Sequence, residues 1–208
     1  MTTRTLAVVS AGLAVPSSTR LLADRLTAAT VDALGERGVT VTVEVVELRE
    51  HARDLADNLV TGFPSAALRA SVDTVVGADG LISVTPIFSA SYSGLFKTFF
   101  DVLEKDVLTG KPALIAATAG TARHSLALEH ALRPLFAYLR ATVAPTAVFA
   151  ASEDWAGGEA GSPALTSRVR RAAGELADLV AGRPPAPPAD PFADPATSFE
   201  DLLRGSGG

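Results

Sequence analysis

Three short stretches carry the residue types and spacing that could do chemistry. The first is Ser10-Ala11-Gly12-Leu13-Ala14-Val15-Pro16-Ser17-Ser18-Thr19-Arg20. Ser10, Ser17, Ser18 and Thr19 bring hydroxyls to the start of a helical pattern, and Arg20 can add charge. Hydroxyls beside a helix's free N–H groups suit a phosphate monoester, because each can donate a hydrogen bond toward the positive end of the helix dipole. The same residues also serve as plain N-caps, and this loop alone does not choose between the two. It matches neither G-x-x-x-x-G-K-[ST] nor G-x-G-x-x-G, so it is no P-loop or dinucleotide fingerprint. The second stretch is Thr85-Pro86-Ile87-Phe88-Ser89-Ala90-Ser91-Tyr92-Ser93-Gly94-Leu95-Phe96-Lys97. Backbone N–H groups here can meet the edge of a flat heterocycle, with Phe88 or Tyr92 against its face; ordinary packing of both rings is the alternative. The third is Thr118-Ala119-Gly120-Thr121, whose small residues let another molecule approach the backbone, or simply make a strand-to-helix turn.

The elements that would position these stretches are legible as apolar runs. Leu6 to Val9 reads as a strand buried on both faces, as in a parallel sheet. Ser18 to Leu34 is helical, with Leu22, Leu26, Ala29 and Ala33 on one face, and Gly35 and Gly38 end it. Val39 to Val46 reads as a second strand, and Glu47 to Pro64 as a long, irregular surface loop. Ser65 to Val76 reads as a helix, Leu81 to Val84 as a third strand and Gly94 to Leu103 as a Phe-rich helix. Ala113 to Ala117 forms a fourth strand, Leu126 to Leu139 a helix interrupted by Pro134, and Val143 to Ala150 a fifth strand. Ser162-Pro163 is a cap with a first-turn proline, opening a last helix along Leu165, Val169, Ala172, Leu176 and Leu179. Strand and helix alternate, which predicts an α/β domain with a parallel sheet and helices on both faces. In such a sheet ligands bind outside the carboxyl ends of the strands, where the three stretches fall. The domain should span residues 1–182. After Gly182 the chain turns Pro-rich and ends Gly205-Ser206-Gly207-Gly208, a tail in which Ser198 to Arg204 makes a short helix or stays solvated.

Composition narrows the chemistry further. The 208 residues are 48% hydrophobic and 20% charged, which is globular. A net charge of −5 argues against nucleic acid as partner. There is no cysteine, so a disulfide framework, a thiolate zinc site and a cysteine nucleophile are excluded. His51, His124 and His130 are too far apart for a close-spaced metal motif. The apolar start is too short for a membrane span and lacks a cleavage pattern, so a soluble cytoplasmic protein is expected.

Taken together, the three loops resemble those of the NADPH-dependent FMN reductase family, most of all the alkanesulfonate-type reductases that supply reduced flavin to a separate monooxygenase. The resemblance runs from Leu6 to about Ala150. The family's serine followed by S-x-N-R falls on Ser10 and Ser17-Ser18-Thr19-Arg20, with Thr19 for the asparagine. Its P-x-Y-x-x-S-Y-x-G-x-x-K falls on Pro86 to Lys97, with Phe88 for a tyrosine. Its A-T-G-G-T falls on the third loop, with Ala119 for a glycine. The resemblance implies a flavodoxin-like three-layer sandwich, with a five-stranded parallel sheet of order 2-1-3-4-5. It implies FMN with its phosphate at Ser10, Ser17, Ser18 and Thr19, and its ring edge along Pro86, Ile87, Phe88, Ser89, Tyr92, Thr118, Ala119, Gly120 and Thr121. NAD(P)H would stack on the ring and pass hydride to flavin N5, with no catalytic acid or base and no metal. It also implies a homo-dimer or tetramer and a luciferase-like, flavin-dependent monooxygenase partner. A quinone or azo reductase with tightly bound FMN, or a flavin-binding electron carrier without turnover, would use the same fold. The choice between NADH and NADPH stays open; Arg123 is the candidate for a 2′-phosphate. Some two-component members carry a tyrosine, sometimes inserted as a π-bulge, where His130 stands here. Pro134 cannot donate to the His130 carbonyl, so an irregular helix is expected there, near flavin or subunit contact; a plain surface histidine is the alternative.

Overall fold

The computed structural model describes residues 2–156, 158 and 161–182. The elements run β1 (Thr2–Ser10), α1 (Ser18–Glu36), β2 (Val39–Glu47), a 3₁₀ turn (Leu48–His51), α2 (Ala52–Thr61), α3 (Ala66–Gly77), β3 (Gly80–Phe88), β4 (Ser91–Tyr92) and α4 (Gly94–Asp101). They continue with β5 (Pro112–Ala119), a 3₁₀ turn (Ala122–His124), a π-helical turn (Leu128–Leu132), α5 (Arg133–Tyr138), β6 (Thr142–Val143), β7 (Val148–Ala151), a 3₁₀ turn (Ser152–Trp155) and α6 (Pro163–Gly182). The sheet is parallel, in the order β2-β1-β3-β5, and its fifth position is shared by β6 and β7, both paired with β5. This is the flavodoxin-like sandwich.

Strand alternation divides the core in two. On β1, Leu6 and Val8 face α1 and α6, while Ala7 and Val9 face the opposite layer. That second layer is built on an aromatic stack: Phe96 lies 4.8 Å from Phe100, and Phe100 lies 5.0 Å from Phe136. Both faces of the central strands are covered, while the edge strand β2 keeps alternate residues exposed.

Three segments differ from the sequence reading. The fifth strand, read as one run from Val143 to Ala150, is two. Pro145 has no N–H for the ladder, and the next N–H, from Thr146, goes to the Glu175 carboxylate at 2.6 Å instead of a strand. The stretch Glu47 to Pro64, read as irregular, contains a 3₁₀ turn and α2. This helix buries only Leu55 and Asn58 and leaves Leu59 and Val60 exposed. A short β4, which nothing in the sequence reading anticipated, folds back antiparallel on the end of β3. The irregular helix near His130 is observed. Over Leu128–Leu132 the helix is π, with the Arg133 N–H reaching the Leu128 carbonyl five residues back. His130 itself is exposed. The segment read as a tail, including Ser198 to Arg204, lies outside the described residues.

One buried ion pair ties the amino end of the sheet. Arg4 on β1, 4% exposed, meets Asp79 at 3.0 Å, and Asp79 also accepts the Thr5 N–H at 2.9 Å. Truncating Asp79 removes the carboxylate that meets this buried guanidinium and the acceptor of the Thr5 N–H. Asp79→Ala is therefore expected to lower stability by about 3–5 kcal/mol. The shift in the denaturant midpoint at unchanged slope measures it; a loss below about 1 kcal/mol would show that the pair is dispensable.

Candidate active site

The β1–α1 loop is folded back against the first turn of α1. A Cβ on Gly12 would stand 2.1 Å from Ser17 Oγ, so only glycine permits this approach. Ser17 is the N-cap, its hydroxyl accepting the Arg20 N–H at 3.3 Å. The Thr19 and Thr118 hydroxyls, both buried, share a hydrogen bond of 2.8 Å that pins the start of α1 to the end of β5. Ser10 Oγ is buried and has no hydrogen-bond partner among the described residues. Arg20 turns away from this group. Its guanidinium binds Asp24 at 2.7 Å and Glu47 at 2.5 Å, and these bonds, Asp24's first, raise its pKa.

The second loop is a tight hairpin. Ser89 and Ala90 have φ of 45° and 71°, the left-handed pair that a two-residue turn between Phe88 and Ser91 requires. Neither is glycine, so the turn stores strain of order 1–3 kcal/mol per residue. It leaves Phe88 48% exposed at the strand end. Below it, Thr85 accepts the Ser93 N–H at 3.1 Å, and Ser93 caps α4. In the third loop β5 runs on through Ala119 without a positive φ, so alanine meets no backbone demand there. A Cβ on Gly120 would meet no protein atom within 4 Å, leaving open space beside its backbone.

These loops enclose a cleft of about 320 Å³. Of the residues singled out from sequence, Ser17, Ser18, Thr19, Pro86, Ile87, Phe88, Thr118, Ala119 and Gly120 line it. Four do not. Ser10 lies buried beneath α1. Ser89 is at the exposed tip of the hairpin. Tyr92 is half-buried against Phe96, with ring centroids 6.0 Å apart. Thr121 is spent capping the turn at Ala122, accepting the Arg123 N–H at 3.1 Å. The sequence reading missed Leu13, Ala14, Pro16 and Ser152. The strand-end rule applied to the fifth strand, read as ending at Ala150, would have found Ser152. No lining side chain titrates, and no group of His, Asp or Glu suited to a metal occurs among the described residues. Such a cleft can hold and orient a molecule that brings its own chemistry.

The loop after β7 is held by Asp154. Its carboxylate accepts the Ala151 N–H, the Ser162 hydroxyl and the Arg168 guanidinium, each at 3.0 Å. Burial opposes ionisation, but the Ala151, Ser162 and Arg168 contacts outweigh it and hold the pKa below the ordinary value of 3.8.

A carboxyl-edge cleft with a hydroxyl-rich helix start defines a flavodoxin-like nucleotide site. Comparison with known proteins narrows the class. Residues 4–156 match the family model of NADPH-dependent FMN reductases. The chain is 37% identical over 175 residues to an FMN reductase (NADPH) of Pseudomonas aeruginosa, covering 84% of this chain and 91% of that protein. It is 36% identical over 165 residues to the NADH-dependent FMN reductase SfnE of Pseudomonas putida, covering 79% and 86%. Among solved structures, an oxidoreductase from Corynebacterium diphtheriae superposes with a TM-score of 0.83 at 48% identity, over 88% of this chain and all (100%) of that one. The apo form of the NADH:FMN oxidoreductase EMOB gives 0.72 at 26%, over 87% and 92%. The chain belongs to the NADPH-dependent FMN reductase family. It is an NAD(P)H-dependent FMN oxidoreductase.

The depressed Asp154 value makes a pH prediction. A carboxyl with a lowered folded pKa contributes stability that is fully present above its unfolded value and lost as pH falls through the folded one. The stability gap between the wild type and Asp154→Asn should therefore be constant above about pH 5 and close below the ordinary aspartate value of about 3.9. Denaturation midpoints across that range measure it; a gap that does not change with acidification would contradict the assignment.

Proposed function

We propose that FMN lies in this cleft with its phosphate at the start of α1 and its ring edge along the strand-end loops. The observation that carries the reading is the convergence of three strand-end loops, with the hydroxyls of Ser17 and Ser18 at a helix start, on one cleft without a titratable side chain. Ser17 and Ser18, with the first-turn N–H groups that the Ser17 cap leaves free, take the phosphate, and Ser10 lies buried behind them. Thr19 acts through Thr118, holding the helix start where the phosphate needs it. Pro86, Ile87, Ala119 and Gly120 offer backbone to the ring edge, and Phe88 covers the ring. Ser89, Tyr92 and Thr121 shape the loops from behind. Bound flavin supplies the redox chemistry, taking hydride from the nicotinamide and passing electrons on. The chain's part is to bind, orient and leave one ring face open.

The exposed apolar side chains at the loops, Leu13 at 55% and Phe88 at 48%, suit release of reduced flavin to a second protein. We assign that role to a flavin-dependent monooxygenase, in a cytoplasmic setting, with this chain acting as a homo-oligomer. Among the described residues no helix is long and apolar enough to cross a membrane.

The test is NAD(P)H oxidation by the purified protein, followed by the coenzyme's near-ultraviolet absorbance with and without added FMN. Oxidation should depend on added FMN. Gly120→Val, which fills the open space beside the ring, should keep the fold and lose about tenfold or more of FMN affinity, the scale of a 1.4 kcal/mol penalty. Oxidation that needs no added flavin and runs fastest on a quinone would move the assignment to a quinone reductase.

A further inference from the structure

A separate cavity, of about 310 Å³, lies in the helical layer built on the aromatic stack and shares no residue with the cleft at the strand ends. It is enclosed by α2, α3 and the connection that follows α4. Val72, Val76, Val102 and Val107 give it aliphatic walls. Asn58 of α2 lines it too; this residue is 9% exposed, and its Oδ1 has no hydrogen-bond partner. A side-chain amide taken out of water without a partner costs free energy. Here the unpaired acceptor belongs to a residue with open space beside it rather than packed protein.

The electrostatics of the cavity favour a cation. Asp73 and Glu104 stand exposed at its rim, with no ion pair or hydrogen bond to any described residue. Two helix C-termini meet there as well: α2 is capped by Gly62 and α4 by Val102, and both caps line the cavity. The last carbonyls of a helix are unpaired acceptors at the negative end of its dipole. The end of α3 is already occupied, because the buried Lys111 ammonium donates to the Val76 and Ala78 carbonyls. The chain itself thus places an ammonium on an aliphatic stem at the neighbouring helix end. Arg69 on the same rim is the one group that would favour an anion. The buried acceptor, the two carboxylates and both helix ends oppose it.

An ammonium carries three donors and no acceptor, which matches a site made of acceptors, and an alkyl chain matches the valine walls. We propose that this cavity binds a small aliphatic ammonium compound, with its N–H groups toward Asn58 Oδ1 and the Asp73 and Glu104 carboxylates and its chain against the valines. Phe63, which stands between the lining residues Gly62 and Pro64 and is 79% exposed, extends the apolar surface at the mouth. The proposal does not depend on the flavin reading.

The test is isothermal titration calorimetry of the purified full chain at neutral pH. The probes are n-alkylamines from propylamine to hexylamine, with the matching alcohols as uncharged counterparts. At least one amine should bind saturably and about tenfold or more tightly than its alcohol, because hydrogen bonds to a charged group are the stronger kind. Asp73→Asn combined with Glu104→Gln changes only exposed side chains and should remove most of that preference. Asn58→Leu, close in volume, should weaken amine binding about tenfold without weakening the alcohols. Arg69→Gln should tighten the amines. No saturable binding by any amine, equal affinity for amines and alcohols, or a preference that survives loss of both carboxylates would each overturn the proposal. FMN reduction should be unchanged in the Asp73→Asn, Glu104→Gln variant, so failure of the flavin reading is seen separately, as absent turnover in the wild type.

Discussion

The hydrogen bond between Thr19 and Thr118 is the constraint on which the site depends. It joins the first turn of α1 to the carboxyl end of β5 across the interior of the domain. The buried leucines of α1 already seat the helix on the sheet, and this bond fixes its first turn against the loop that carries Gly120. Two further clamps hold the same edge. Arg20 ties α1 to the end of β2 through Glu47, and Asp154 ties the loop after β7 to the cap of α6. The cleft is therefore assembled from short loops on a rigid sheet, each loop tethered by its own polar contact. That is the arrangement a reaction needs when a bound flavin does the chemistry and the protein supplies position.

Much of this was legible in the sequence, for one physical reason. Strands buried on both faces read as continuous apolar runs, and the residues just after them must lie on one edge of the sheet. That logic placed Ser17 to Thr19, Pro86 to Phe88 and Thr118 to Gly120 together. It failed where the local signal was missing. Pro145 broke the last strand in its interior; its end was read within one residue, at Ala150, but the loop behind it, with Ser152, was not counted into the site. The hairpin at Ser89 and Ala90 has positive φ without a glycine to announce it, so Ser89 was counted into the cleft when it sits at an exposed tip. In α2 the helical spacing of apolar residues was present, but the polar composition of the stretch led it to be read as loop. Thr19 and Thr121 were read by residue type as ligands; hydroxyls serve equally as tethers and caps, and only geometry separates the uses.

The irregular helix near His130 was legible for a different reason, a missing donor rather than a pattern. Pro134 removes the N–H that an α-helix would offer to the His130 carbonyl, and the chain answers with a π turn over Leu128–Leu132. Leu128 and Leu132 remain buried in the same core as the aromatic stack, so the irregularity is absorbed on the outer face and the packing beneath it is kept.

The flavin's phosphate is proposed to sit at the start of α1, beside Ser17 and Ser18. The most direct measurement compares the affinity of the apo protein for FMN and for riboflavin, which lacks only that phosphate, by quenching of flavin fluorescence. The account predicts that FMN binds at least about tenfold more tightly, since charge-assisted hydrogen bonds contribute about 1.5–3 kcal/mol each. Equal affinity for the two would contradict it.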